Sequence, residues 1–423
     1  MVLLIIINYL VSIYFLAKLN KIFIYNVFVF FWFFGFFRLE YFEFGRVEDL
    51  DIEYLKSIVG VISFKGFNYF KLVYQIFFAN LIIVLFIKKM SFTSDSVNCS
   101  NKPRADFGVV LSLVVFIFST LIIKDELIAI ILYGVSGYDI INNFGNDGGN
   151  YYLHVFLNRL SLILLFSSIV GGGRIKHYHA LILIVFLVFY AITGQRNELF
   201  RFIIAIVFWL LSIKLVTFKL RYVIYVLIAV LPLRLIELYR GGMNDISELL
   251  ITSVSTFWGP LFGGETVVPF YSWPAVLFYE INYEISNLIY WFLDSIKFTT
   301  NNSLTSYSIY KANRFPMEAR GLAINIFASL NIYFNWALVV PIFALIFRIL
   351  HGFLKFYTNK SIDRYISRKY RTVVYFWSFA SIVLLARNGI EGLRPLLLHD
   401  FIIYPFIFIL LSQIEKVRLF YKY

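Results

Sequence analysis

Apolar runs of about 15 to 20 residues recur from one end of the chain to the other, each close to the length a helix needs to cross about 30 Å of hydrocarbon. Eleven stand out, near 2–17, 22–37, 69–87, 107–123, 153–170, 180–193, 199–213, 222–238, 336–350, 372–386 and 396–413. Hydropathy fixes helix ends only to a few residues, so the expectation is about 10 to 12 spans. Inside lipid a backbone must satisfy its own hydrogen bonds, which leaves helices or a closed barrel. The period-2 alternation of an outer-membrane barrel is absent, so the spans are read as helices. Composition agrees: 60% hydrophobic and 15% charged residues over 423 positions, with a mean hydropathy of +0.78, exceed what a water-soluble surface tolerates. The expected fold class is an all-α integral membrane protein, a single polytopic domain over 1–423.

Basic residues pile into alternate loops: Lys18 and Lys21; Lys88, Lys89, Lys102 and Arg104; Arg174 and Lys176; Lys214, Lys219 and Arg221; Lys355 to Arg371; and the tail with Lys416, Arg418 and Lys422. By the positive-inside rule these loops and the C-terminus face the cytoplasm, and an odd number of spans puts the N-terminus outside. The first run has no basic n-region and no small-residue cleavage site, so it reads as a retained span. Of the 25 acidic residues, 21 fall in or beside the outer loops, an agreement not used in setting the topology. The net charge of +13 is thereby membrane topology, and no nucleic-acid partner is implied.

The two sides also differ in kind. The inner basic residues are 13 Lys to 8 Arg, the outer ones 11 Arg to 6 Lys. Arg carries a planar fork that binds phosphate bidentately and stays charged in a low-dielectric site, whereas Lys is a mobile point charge. A bland alternative is that some of these Arg snorkel at helix ends.

The outer side holds the long connections: 38–68, 124–152, and a large periplasmic loop over 239–335. In the first, Leu50, Tyr54 and Ile58 recur at helical spacing, as in an amphipathic helix lying on the membrane. The third carries "RGGMND", "FWGPLFGGE" and "YSWP", then the Asn-dotted "GLAINIFASLNIYFN" at 321–335, which suits an interfacial or re-entrant helix.

Several motifs are discounted. "HYH" at 177–179 lies on the inner face with no carboxylate nearby and reads as a solvated basic loop rather than a metal site. "GGG" at 171–173 stops a helix and lacks the frame of a phosphate loop. The lone Cys99, in an inner loop, excludes an internal disulfide. "EDLDIE" at 48–53 resembles the acidic pair of some membrane glycosyltransferases but equally suits the wet face of an interfacial helix.

What survives is a set of Arg at outer helix ends, beside small or acidic residues: Arg196 in "TGQRNE", Arg240 in "ELYRGG", Arg320 in "EARG", and Arg387 and Arg394 in "ARNGIEGLRP". An ion near hydrocarbon is expensive, so its default reading is functional. Convergent Arg at the outer leaflet suit a lipid-linked diphosphate, with its tail in the membrane and its phosphates at the interface.

This layout resembles the Wzy-type O-antigen and capsule repeat-unit polymerases: many spans, a short G-x-R bend between central helices (Gly194, Arg196), one large outer loop, and an Arg-bearing bend before the last helix (Arg387 to Arg394). Arg240 with Gly241 and Arg320 with Gly321 add to the likeness, while the D-x-x-x-Y element of some relatives is only approximated by Asp51 and Tyr54. The resemblance implies transfer of a glycan from undecaprenyl diphosphate onto the sugar hydroxyl of another lipid-linked repeat unit, at the periplasmic face of the inner membrane. No cofactor or metal is expected, and a chain-length regulator is a possible protein partner. Arg would stabilise the leaving diphosphate. The general base stays open among Glu198, Asp245, Glu318 and Glu391. A lipid-linked oligosaccharide flippase, an O-antigen ligase and a non-catalytic scaffold are the rival readings.

Overall fold

The computed structural model describes residues 2–19, 21–33, 69–90, 107–133, 149–173, 175–193, 196–213 and 324–420, together with short stretches at 247, 251, 272–274, 276–277, 280–294 and 309. Every element among them is helical: α1 (Val2–Ala17), α2 (Ile22–Trp32), α3 (Tyr69–Lys89), α4 (Phe107–Ile122), α5 (Lys124–Tyr133), α6 (Gly149–Gly172), α7 (His177–Thr193), α8 (Arg196–Ser212), α9 (Ile285–Asp294), α10 (Ile326–Tyr333), α11 (Trp336–Thr358), α12 (Arg368–Asn388) and α13 (Tyr404–Phe420). Among the described residues, four helical stretches are long and apolar enough to cross a membrane, Phe70–Lys89, Leu153–Gly172, Trp336–Thr358 and Leu393–Glu415, and shorter apolar helices occupy three more of the expected runs. The run at 222–238, the loop at 38–68 with "EDLDIE", Cys99, and most of 239–335 lie outside the described residues.

The chain divides into two compact units, one of residues 1–91, 258–356 and 381–399, the other of 92–257, 357–380 and 400–423. In the first, polar side chains clamp otherwise greasy helices. Asn80 of α3 donates to Asn8 (3.1 Å) and Ser12 (2.9 Å) of α1, and accepts from the Tyr25 hydroxyl of α2 (2.7 Å). Such interhelical bonds contribute about 0.6 kcal/mol each in lipid, and they fix register where hydrophobicity cannot. The Lys21 ammonium donates to the carbonyls of Ile87 and Lys88 (2.9 Å each) and to that of Met90, satisfying acceptors that the end of α3 leaves orphaned. Burial lowers the pKa of this amine.

Helices α3 and α11 run in the same direction. Gln75 donates to the Trp336 carbonyl (2.9 Å) near their N-terminal ends, while Phe86 meets Phe347 and His351 near their C-terminal ends. Alternate-sided loops require this of two spans that both end in Lys. Within the large loop, Trp273 of "YSWP" is fully buried, stacks on Phe327 with ring centres 4.2 Å apart, and donates to Gln75 (2.6 Å). Within the segment expected to be an interfacial or re-entrant helix, α10 is short and every one of its residues is buried.

In the second unit α4 and α6 pack antiparallel along small residues. The α-carbon of Gly108 faces the Leu164 carbonyl, Ser112 donates to the Ser161 carbonyl (2.7 Å), and Ser119 donates to Asn158 (2.9 Å) and meets His154 (3.0 Å). Small side chains let the backbones approach, the usual geometry of helix pairs in lipid. The "GGG" does end α6, with Gly173 in the left-handed region that glycine tolerates. "HYH" corrects the expectation of a solvated loop: His177 is exposed, but His179 is buried, its Nε2 paired with Ser168 (2.9 Å) and its Nδ1 accepting from the Lys176 amide (3.1 Å).

Candidate functional site

The second unit carries an ionic cluster inside apolar helices. Arg159 lies in α6, within the run "LHVFLNRLSLILLF", and its Nε donates to Glu198 Oε1 at 2.7 Å. Glu198 stands in the first turn of α8, and its other oxygen accepts from Arg201 Nη1 at 2.9 Å, three residues on along the same helix. The side chains of Glu198 and Arg201 are each 6% exposed. One carboxylate is therefore held between two guanidiniums that reach it from different helices. Taking such ions from water costs several kcal/mol each, which only close, hydrogen-bonded pairing can offset.

Aromatic and acidic groups complete the cluster. The Arg201 guanidinium lies 5.7 Å from the centre of the Trp377 ring of α12. Trp377 donates its indole N–H to Asp400 at 3.2 Å. Asp400 is buried, and with Tyr404 it is close enough to Arg159 to interact with it electrostatically. Tyr190 of α7 is coupled in the same way to Glu198, Arg159 and Tyr404. Phe156 stacks on Tyr404 with ring centres 5.7 Å apart. The Nε of Arg201 finds no acceptor among the described residues, although it is buried. An unmet guanidinium donor in such surroundings favours an anionic acceptor.

Local backbone chemistry explains how Asp400 comes to face this way. It sits in a π-helical stretch, Leu396–Ile403, bounded by Pro395 and Pro405. Pro405 has no N–H to give to the carbonyl four residues back, that of Phe401. The Tyr357 hydroxyl supplies the missing donor at 2.8 Å. A wider helical turn of this kind re-aims side chains, and such turns recur at functional sites.

Of the residues expected at the site, Glu198 is in the cluster. Arg196 opens α8, the helix that carries Glu198 and Arg201, and Arg387 lies on α12; the side chains of Arg196, Arg387 and Glu391 lie outside the described residues. Arg394 is half-buried in the single turn Leu393–Pro395 of the first unit. Arg240, Asp245, Glu318 and Arg320 lie outside the described residues altogether. The pattern of an Arg at a bend beside small residues does not select Arg159, Arg201 or Asp400. A different signal does, because each is an ionisable side chain inside an apolar run, which in lipid marks function by default. Among the described residues no three His, Cys, Asp or Glu side chains group as metal ligands would. Comparison of the chain with family models, with curated proteins and with solved structures finds no match.

Proposed function

We propose that this chain is a polysaccharide polymerase that joins undecaprenyl-diphosphate-linked oligosaccharide repeat units, for O-antigen or capsule, at the periplasmic face of the inner membrane. The reading takes about eleven spans, an N-terminus outside and a cytoplasmic C-terminus from the charge pattern. The observation that carries it is the buried pair of guanidiniums about Glu198, with an unmet Arg201 donor, at the end of α8 that the charge pattern assigns to the outside. A lipid-linked diphosphate brings its charge to this depth while its polyprenyl tail stays in hydrocarbon.

In this mechanism Arg159 and Arg201 receive the leaving diphosphate, whose charge grows as the glycosidic bond breaks, in surroundings where fixed donors act strongly. Arg196, Arg240, Arg320, Arg387 and Arg394 are further phosphate ligands under the same reading. Glu198 serves as their counter-ion. Both of its oxygens are engaged by guanidiniums. No metal step is invoked, since Arg supplies the charge that a cation supplies elsewhere. The bacterial membrane and the lipid-linked oligosaccharide are the partners, with a chain-length regulator as an additional protein.

Lipid-linked glycans from a deletion strain test the proposal. A polymerase mutant caps its lipopolysaccharide or capsule anchor with a single repeat. No repeat on the anchor identifies a flippase, and long chains accumulating on undecaprenyl diphosphate identify a ligase. Either of those results overturns the polymerase.

A further inference from the structure

Helix α9, Ile285–Asp294, meets three surroundings with three stripes. Leu288 is buried against its own unit. Ser286 and Asn287 are half-exposed, and the Ser286 hydroxyl donates to the exposed Glu284 carboxylate (3.0 Å). Ile285, Ile289 and Leu293, at i, i+4 and i+8, are 46%, 51% and 37% exposed. Tyr290, exposed as well, stands at the border between this apolar stripe and the polar one. At 10 residues, or about 15 Å, the helix is too short to cross hydrocarbon.

The start of α9 is pinned to a definite level. Lys71, in the first turn of α3, pairs with Glu280 (3.3 Å), and the Tyr283 amide donates to the Ile332 carbonyl (2.8 Å) just before α11 begins. These are the N-terminal ends of two spans. There Trp336 meets Phe70 and Tyr74 edge to face, with ring centres 6.3 and 5.7 Å apart, the kind of aromatic belt that marks a membrane–water boundary. Phe70 and Leu338, at the same ends, are exposed apolar side chains, as the outward positions of a span are. The stretch from Ser272 to Ile296 contains no Lys or Arg, while Glu280, Glu284 and Asp294 are acidic. Attraction to anionic headgroups is therefore not what holds this helix, and its apolar area must do so.

We propose that α9 is an interfacial helix whose stripe of Ile285, Ile289 and Leu293 is seated in the acyl chains of the leaflet at that end of α3 and α11, the outer leaflet by the charge pattern. The lipid is recognised by its hydrocarbon and not by its headgroup charge. Tyr290 rests among the headgroups, and Ser286 and Asn287 face water. Insertion is independent of the chemistry at Arg201.

The test uses the full-length chain with Cys99→Ser, in nanodiscs of palmitoyl-oleoyl phosphatidylcholine. A nitroxide is attached to a single thiol introduced by Ile285→Cys, Ile289→Cys, Leu293→Cys or Asn287→Cys, with Leu85→Cys as the lipid-facing reference and Arg364→Cys as the aqueous one. Power saturation compares collisions with oxygen, which concentrates in hydrocarbon, and with a nickel chelate, which is confined to water. Oxygen should outstrip the chelate at all three stripe positions, as at Leu85, with the labels about 5–10 Å into the headgroup–acyl boundary. The order should reverse at Asn287, as at Arg364, and added phosphatidylglycerol should change neither reading. Chelate collisions dominating at the stripe would show a face open to water and overturn the proposal. Few collisions with either reagent, with spin–spin broadening, would show the face covered by a second copy of the chain and overturn it equally. Insertion only when phosphatidylglycerol is present would make headgroup charge the anchor, which also refutes it.

Discussion

Glu198→Gln keeps the shape of the side chain and removes the charge that joins Arg159 to Arg201. At the observed contacts of 2.7 and 2.9 Å, the charge centres lie about 4 Å apart. With an effective dielectric constant near 20, each pair interacts by about 4 kcal/mol. The amide oxygen can still accept from one guanidinium, but its NH2 group then points at donors of the other. Removing one partner of a buried ion pair costs about 3–5 kcal/mol, most of it from the charge left behind, and that is the expected loss of stability. Graded unfolding in dodecyl sulfate against a mild detergent, followed by tryptophan fluorescence, measures it. Adding Arg201→Gln to Glu198→Gln should return at least about 1 kcal/mol, because the orphaned cation goes with it. Wild-type stability in Glu198→Gln, within about 0.5 kcal/mol, would refute the reasoning and make the cluster a set of independent, hydrated charges.

The remaining predictions concern packing, the guanidinium forks and topology. Gly108→Leu places a Cβ 3.3 Å from the Leu164 carbonyl and from Ser167 Oγ and should cost about 1–3 kcal/mol, whereas Gly352→Leu, with nothing within 4 Å, should be neutral; detergent-solubilised yield after mild heating separates the two. Arg201→Lys should lower chain elongation by at least about tenfold at matched protein abundance, since Lys lacks the fork, while Arg364→Lys at an exposed position should be silent on the same polymer ladder. Cys99, the lone thiol, should resist a membrane-impermeant maleimide in intact spheroplasts and react after permeabilisation. Labelling from outside would invert the topology.

Where helices form was legible, and what they hold together was much less so. The run expected at 69–87 is α3, Tyr69–Lys89, because a helix satisfies its backbone within the segment, as lipid demands, and the paired Lys mark its end. The run at 336–350 continues to Thr358, since Arg348, His351 and Lys355 are carried on a helix that hydropathy cuts short. The GGG stop was readable from conformational freedom alone. The ionic cluster was legible in kind but not in membership: Arg159, Arg201 and Asp400 each break an apolar run, yet the pairing of Arg159 with Glu198 spans 39 residues and needs the parallel course of α6 and α8. The π-helical turn left no readable mark beyond two prolines, and the hydroxyl that donates to its Phe401 carbonyl, that of Tyr357, lies more than forty residues away. His179 shows the converse error, a polar side chain in a basic stretch that folding turns inward to Ser168.

The Lys21 contacts carry a consequence for biosynthesis. Its ammonium is satisfied by the carbonyls of Ile87, Lys88 and Met90, which are made some seventy residues after it. Until they leave the ribosome, the first two helices form a hairpin whose turn holds a hydrated cation that the finished protein partly withdraws from water. Maturation of that hairpin is thereby tied to insertion of the third span. A nascent chain arrested after α2 would keep an open, water-exposed turn, and one arrested after Met90 would close it.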